Sequence, residues 1–283
     1  MRTITKRILA IHDLSGFGFS SLMAVIPIMT AMEIQVCALP TVILSANTCY
    51  DGIQSVDMTT HLKAFATHWQ DLDLHFDAVY SGFLGSPEQA RIVAGIMAYY
   101  RERNVPCIVD PVMADKGELY SCFDRSIVDA MRQLIRQADV ITPNLSEAAL
   151  LLSESYPERL SAGQLEDWTR RLGELGCRNT LITGVLLKGM NSQHSISAYN
   201  SEHDQYRHLQ HKAFAGDFPG SGDIFATVLT GALVWGKSLI RAIDIAGEFV
   251  YQTIEHTALS PRPLSEGIAL EKTLHRLHSI PDA

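Results

Sequence analysis

Short apolar runs alternate along this chain with longer segments that repeat apolar residues at helical spacing. Arg7-Ile-Leu-Ala-Ile11 has the continuous apolar character of a buried strand, and a glycine-containing turn then leads into a helical stretch from about Ser20 to Met32. Five more strand-like runs follow: Gln35 to Val42, Phe76 to Tyr80, Val105 to Val109, Ala138 to Thr142 and Asn179 to Gly184. Between them the pattern predicts a helix carrying His61 and His68, one opening at Pro87-Glu88, and one ending near Ser153. Residues 190–212 alternate polar and apolar side chains, the pattern of an antiparallel hairpin at a sheet edge. Three further helices are expected to begin near Ser221, Ser238 and Gly267. Six strands alternating with helices, without a break in composition, predict one domain over residues 1–283. Its class is α/β: a doubly wound, mostly parallel sheet with helices on both faces. Most strand-like runs end in Gly, Asp, Asn, Ser or Thr, and ligands collect at the carboxyl ends of parallel strands.

Composition narrows the partners. The 283 residues carry a formal charge of −8 with only 23 Lys and Arg, and no basic stripe, which disfavours nucleic acid. Five cysteines, never closer than twelve residues, form no Cys-x-x-Cys pair, so a disulfide framework is not expected and a reducing, cytoplasmic setting fits. The apolar runs are too short for a membrane span, and the one after Lys6-Arg7 meets His12 and Asp13 too soon for a signal peptide. His208/His211 and His275/His278 are three apart but lack the companions of a zinc set. His12, at the predicted end of the first strand, reads as a core histidine first and a ligand neighbour second.

The densest chemistry lies in Phe214-Ala-Gly-Asp-Phe-Pro-Gly-Ser-Gly-Asp-Ile-Phe-Ala226, where Gly220, Ser221 and Gly222 precede Asp223 and an apolar helical run. Glycines let amide N–H groups converge, and the first turn of a helix leaves its N–H groups without internal partners, so such a corner suits a phosphate. Asp223 reads either as a first-turn acid of a core helix or as a base placed beside that nest. Asp110, Asp115, Asn144 and Glu147 stand at other strand ends, the last two on one helical face. Each has an ordinary use as a cap or turn former. Together with the nest they point to phosphoryl transfer with a magnesium nucleotide, because Mg²⁺ needs only one or two carboxylates beside phosphates. Gly16-Phe17-Gly18 covers part of a dinucleotide fingerprint, but Ser21 stands at the third glycine and no ribose-binding acid ends the next strand.

On these residues the chain resembles the ribokinase-like superfamily and, within it, the vitamin kinases. Gly220-Ser-Gly-Asp223 is similar to the superfamily's Gly-Thr-Gly-Asp motif, and Asn144-Leu-Ser-Glu147 to its Asn-x-x-Glu motif. Asp110-Pro-Val-Met113 and Thr142-Pro-Asn-Leu-Ser-Glu147 are shared with pyridoxal kinases and hydroxymethylpyrimidine kinases; Leu44-Ser-Ala-Asn-Thr48 and Tyr80-Ser-Gly-Phe-Leu-Gly-Ser86 resemble the pyridoxal kinase family most. The resemblance implies an ATP-dependent kinase of pyridoxal, pyridoxine or pyridoxamine in vitamin B6 salvage. Asp223 would deprotonate the 5′-hydroxymethyl group, and the amides of Gly220, Ser221 and Gly222 would hold the γ-phosphoryl. Asp110, Asn144 and Glu147 would organise Mg²⁺, while Asp115 and Thr183 would meet the nucleotide. The ring would lie near Asn47, Thr48 and Phe83, with Asp13 or Ser15 at its substituents. The hairpin would act as a short flap in place of a separate lid domain. The family also suggests a homodimer and a monovalent cation such as K⁺. Ser221 in place of threonine leaves the backbone amides unchanged, and Ala114 in place of glycine restricts the loop before Asp115. Asp13-Leu-Ser-Gly16, which leans toward the pyrimidine kinases, and Phe83 in place of tyrosine bear on vitamer preference. A hydroxymethylpyrimidine kinase and a non-catalytic pyridoxal phosphate carrier remain the alternatives.

Overall fold

The computed structural model describes residues 5–190, 193–212 and 218–281, so Phe214–Asp217 of the glycine-rich stretch and residues 191 and 192 of the expected hairpin lie outside the described residues. The chain forms two compact units, one from Met1–Gly82 with Phe214–Ala283 and one from Phe83–Ala213.

The first unit begins with β1 (Lys6–Ser15), in which Ile8, Leu9, Ala10 and Ile11 are wholly buried. Continuous burial explains why this strand reads as an unbroken apolar run. β1 runs four residues beyond the expected end, so His12, Asp13 and Ser15 are strand residues rather than turn residues. Helix α1 (Leu22–Ala31) carries the chain to β2 (Ile34–Leu44), which pairs parallel with β1, Leu9 opposite Cys37, with the register shifting between His12 and Leu14. A short β3 (Ser55–Asp57) lies antiparallel on β2; its three exposed residues have no apolar pattern by which to find it. After α2 (Thr59–Asp71), β4 (Ala78–Ser81) pairs parallel with the other side of β1, giving the order β4-β1-β2-β3. Asp77, just before β4, accepts from Arg7 N at 2.8 Å and from Lys6 Nζ at 2.9 Å, fixing the start of β1.

The second unit opens with α3 (Pro87–Arg101), capped by Ser86 Oγ accepting from Gln89 N at 3.2 Å, with Pro87 in the first turn as the sequence predicts. Then come β5 (Cys107–Val109), a two-residue hairpin of β6 (Ala114–Asp115) and β7 (Glu118–Leu119), α4 (Ser126–Ile135), β8 (Val140–Ile141), α5 (Leu145–Leu152), α6 (Ala162–Glu174), β9 (Asn179–Val185), β10 (Gln193–Asn200) and β11 (Gln205–Lys212). The order is β11-β10-β9-β8-β5, parallel from β5 through β9. The expected hairpin is β10 with β11, antiparallel at the edge.

The chain then returns to the first unit as α7 (Ser221–Val234) and α8 (Leu239–Ala258). Every residue of α7 from Ile224 to Ala232 is buried, and the helix packs on α1, α8 and β4. The helix expected to begin near Gly267 does not form. Among the described residues the segment has 3₁₀ turns instead, at Leu264–Glu266 and Leu274–Leu277. Gly267 has φ 84°, and a Cβ on it would lie 2.6 Å from the Phe19 carbonyl oxygen, so the residue serves a close backbone approach. Both units are thus α/β, with mostly parallel strands joined by helices and antiparallel strands at their edges.

Candidate active site

In the first unit the glycine-flanked corner opens α7 as the sequence predicts. Gly220 has φ 87°, and a Cβ there would come 2.9 Å from Phe19 O, so a side chain is excluded by both conformation and space. Ser221 N closes a turn on Phe218 O at 3.1 Å, while the N–H groups of Gly222 and Asp223 belong to the first helical turn, which has no preceding turn to accept them. Asp223 does not cap its own helix. Its Oδ2 accepts from Ser21 N at 2.9 Å, across 202 positions of sequence. Burial pushes its carboxyl up to about 6, the charge of Asp13 adds to that, and the Ser21 bond opposes it. Asp223 is half-buried, whereas Asp13 is buried. Burial raises Asp13, and hydrogen bonds from Ser21 and Ser15 oppose the rise; Ser15 Oγ donates to Asp13 Oδ2 at 3.3 Å. Asp13, Ser15 and Asp223 are therefore brought together, with Ser21 between the two acids.

Asn47 plays another part. Its Nδ2 donates to Ser265 O at 2.9 Å, its Oδ1 accepts from Cys49 N at 3.1 Å, and its backbone N–H reaches Phe17 O at 2.9 Å. The side chain lies across Gly18, where a Cβ would meet Nδ2 at 2.2 Å. The Gly16-Phe17-Gly18 turn is thus built to admit this loop. Thr48 is exposed beside it. Asn47→Ala should lower stability by ~1–3 kcal/mol through loss of two hydrogen bonds at a largely buried site, read as a reduced urea midpoint with an unchanged slope. His12 is wholly buried with its ring edge against Tyr80, centroids 4.3 Å apart. Burial drives its pKa down to about 3, so it is a neutral core histidine.

In the second unit the remaining candidates gather where β5, β8 and β9 end. Asn144 and Glu147 form a reciprocal capping box on α5: Glu147 N donates to Asn144 Oδ1 at 2.9 Å, and Asn144 N to Glu147 Oε2 at 2.8 Å. Glu147 Oε1 also accepts from Met113 N at 3.1 Å, and Asn144 Nδ2 donates to Ala114 O at 2.9 Å. Glu147 thereby pins the loop that carries Asp110 and Asp115. Burial, and after it the charge of Asp110, pushes the Glu147 carboxyl well above the usual range. Asp110 is buried and accepts from Thr142 Oγ1 at 3.0 Å. Thr183 N donates to Pro143 O at 3.0 Å, which places Thr183 beside Asn144. Asp115 is exposed in the β6–β7 hairpin, and Ser146 Oγ holds that hairpin by accepting from Gly117 N at 2.9 Å. Phe83 is half-buried, its ring 5.5 Å from that of Phe123.

Three contributors escape a reading of the sequence. Ser21 looks like an ordinary residue at a helix start, yet it has φ 47° and ψ −128°, and its side chain makes no capping bond to α1. Side chains rarely adopt that conformation, and nothing in the local residues announces it. Phe123 and Ser146 belong to loop and helix positions whose partners come from distant segments.

Solved structures share this fold. A Bacteroides thetaiotaomicron protein, provisionally described as a phosphomethylpyrimidine kinase and crystallised with pyridoxal, is 40% identical with a TM-score of 0.92, over 97% of this chain and 96% of that one. Pyridoxal kinase from Lactobacillus plantarum is 31% identical with a TM-score of 0.88, over 99% of both chains. The fold is that of the pyridoxal kinase-like branch of the ribokinase superfamily. The chain belongs to the phosphomethylpyrimidine kinase family, whose pattern matches residues 21–263. Among characterised sequences, a hydroxymethylpyrimidine/phosphomethylpyrimidine kinase of Mycobacterium bovis is 28% identical over 276 residues, 96% of this chain and 94% of that protein. The protein is accordingly a kinase of the phosphomethylpyrimidine/pyridoxal type.

Proposed function

We propose that this kinase uses ATP to phosphorylate the 5′-hydroxymethyl group of pyridoxal, pyridoxine and pyridoxamine, as in vitamin B6 salvage. The observation that carries the reading is the pyridoxal-bound Bacteroides structure, 40% identical along nearly the whole chain. In this reading Asp223 accepts the hydroxyl proton as the substrate oxygen bonds to the γ-phosphorus, and the bond from that phosphorus to the β-phosphate oxygen breaks to release ADP. A carboxyl held near 6 is ionised at neutral pH yet basic enough to accept a proton as the oxygen reacts. The amides of Gly220, Ser221 and Gly222 hold the transferring phosphoryl, Ser221 exchanging its turn bond to Phe218 O for the anion. Asp13 and Ser15 address the ring substituents, Asn47 shapes the adjoining loop with Thr48 exposed on it, and Phe83 supplies an aromatic face.

Asp110 and Glu147 suit Mg²⁺. They are buried carboxyls; burial, and after it repulsion from Asp110, raises the Glu147 carboxyl, and a cation relieves such repulsion. Mg²⁺ keeps waters and substrate phosphates among its ligands and so needs only one or two carboxylates. Asp110 and Glu147 would hold the ion, which would supply charge neutralisation at the phosphates. Asn144, Thr183 and Asp115 would attend the nucleotide, with the β10–β11 hairpin as flap. K⁺ use, a homodimer, a single working domain and a cytoplasmic setting complete the proposal by family analogy; among the described residues no helix is long and apolar enough to cross a membrane.

A second reading, phosphorylation of hydroxymethylpyrimidine, is favoured by the family's description and by the Mycobacterium relative. A coupled ADP-release assay with each alcohol separates the two. Turnover of the B6 vitamers at a kcat/KM at least ~10-fold above that of the pyrimidine is expected, a difference of ~1.4 kcal/mol in transition-state binding. Turnover of the pyrimidine alone would overturn the first reading.

A further inference from the structure

Asp13 on β1 is buried and Asp223 on α7 is half-buried, and both are attached to the same residue, Ser21. The Ser21 amide donates to Asp223 Oδ2 at 2.9 Å, while its hydroxyl is hydrogen-bonded to the Asp13 carboxyl and makes no bond to cap α1. The backbone at φ 47° and ψ −128° aims the amide at Asp223, out of line with an ordinary helix start. Ser15 Oγ adds a bond to Asp13 at 3.3 Å, and Ser20 Oγ donates to Ser15 Oγ at 3.3 Å. Two carboxyls 210 positions apart are thus joined by one strained, buried serine.

Other charges near this pair are few. Helix α1 carries no ionisable residue, β4 contributes Tyr80, and His12 beside Asp13 is buried and neutral. On α8 the buried positions are apolar, small or hydroxylated (Ala242, Ile243, Ala246, Phe249 and Thr253 among them), while Asp244 and His256 are half-buried and Arg241, Glu248 and Glu255 are exposed. Arg262, whose guanidinium lies 5.6 Å from the Phe19 ring, is paired with Glu266 and Glu271. The charge of Asp13 is therefore the one that bears on Asp223.

We propose that Ser21 is a positioning residue that clamps Asp223 to Asp13, fixing which oxygen of Asp223 is presented to the substrate and making the charge on Asp13 a control on its readiness to take a proton. With Oδ2 occupied by the amide, Oδ1 is the accepting oxygen. The proposal rests on the reading of Asp223 as the base.

Carboxyl ¹³C NMR titration of the full chain tests the clamp without substrate. In the unmodified protein Asp223 should titrate near 6. Asp13→Asn should lower that midpoint by ~1 pH unit, because a neighbouring negative charge is removed. Ser21→Ala should lower it by less and in the same direction, since without the hydroxyl Asp13 is harder to ionise and repels Asp223 less. The double variant should match Asp13→Asn alone. In parallel, the acidic limb of the kcat–pH profile should move down in both single variants. The plateau kcat of Ser21→Ala should fall ~10-fold with KM little changed, as misorientation of a base predicts. An unmoved Asp223 midpoint in Asp13→Asn overturns the clamp even if the protein is an active kinase. A moved midpoint in a protein that phosphorylates neither the B6 vitamers nor hydroxymethylpyrimidine supports the clamp and overturns the reading of Asp223 as the base. Should Ser21→Ala fail to fold, the near-isosteric Asp13→Asn decides alone.

Discussion

Asp223→Asn is expected to reduce vitamin phosphorylation at least ~100-fold while changing vitamer binding by no more than a few-fold, as follows when a positioned base is removed and its shape kept. Asparagine retains a carbonyl oxygen for the Ser21 amide, so the first turn of α7 should persist. The same change should make the protein more stable above neutrality. A carboxyl raised from 3.8 to about 6 in the folded state favours folding fully below 3.8 and loses that advantage as pH rises through 6. At pH 8 the native protein therefore bears a charge penalty of at most ~3 kcal/mol that the asparagine variant escapes. Thermal melts should show Tm higher by several degrees at pH 8, with the gain vanishing toward pH 4. Lost turnover with raised stability marks a residue kept for chemistry at the expense of the fold. Unchanged turnover would remove Asp223 from the mechanism.

Glu147→Ala should be the most damaging single truncation in the second unit. The carboxylate accepts the backbone N–H groups of Asn144 and Met113, with Ala114 as a third donor, and truncation strands all three. At ~1–3 kcal/mol for each unsatisfied group, partly offset by water, the loss should be roughly 3–5 kcal/mol. For a chain of this size that is a fall in Tm of ~10 °C. Glu147→Gln separates scaffold from metal. It keeps the volume and one acceptor oxygen, and because burial and Asp110 already disfavour the ionised form, the fold should lose much less. Its requirement for Mg²⁺ should nevertheless rise, measured as the concentration giving half-maximal turnover. Full activity at limiting Mg²⁺ in Glu147→Gln would confine Glu147 to its capping role.

Much of this molecule can be read from residue order, for identifiable reasons. β1, β4, β5 and β8 are buried strands whose cores are unbroken apolar runs, and α3 and α5 announce themselves through Ser86-Pro87 and Asn144-x-x-Glu147. The Gly220–Asp223 corner is legible because only glycine fits beside Phe19 O at φ 87°. What stayed hidden depends on tertiary context. β3 is an exposed edge strand with no periodic signal, and the extension of β1 through His12 and Asp13 places polar residues on a strand. Gly267 was expected to open a helix, but its role is set by Phe19, almost 250 positions away. The resemblance places Asn47 near the ring, but the bonds by which both ends of its side chain brace two loops have no signal in the local residues. Ser21 is the clearest case: a strained backbone and two acidic partners leave no trace in a Ser-Ser pair.

The central claim is transfer of a phosphoryl group from ATP to a vitamin B6 alcohol, and product identification tests it most directly. After incubation of the protein with MgATP and pyridoxal, ³¹P NMR and mass measurement should find ADP and an equal amount of the pyridoxal 5′-phosphomonoester. Phosphate ester formed only when hydroxymethylpyrimidine is supplied, or ADP released with free phosphate and no ester, would contradict the account.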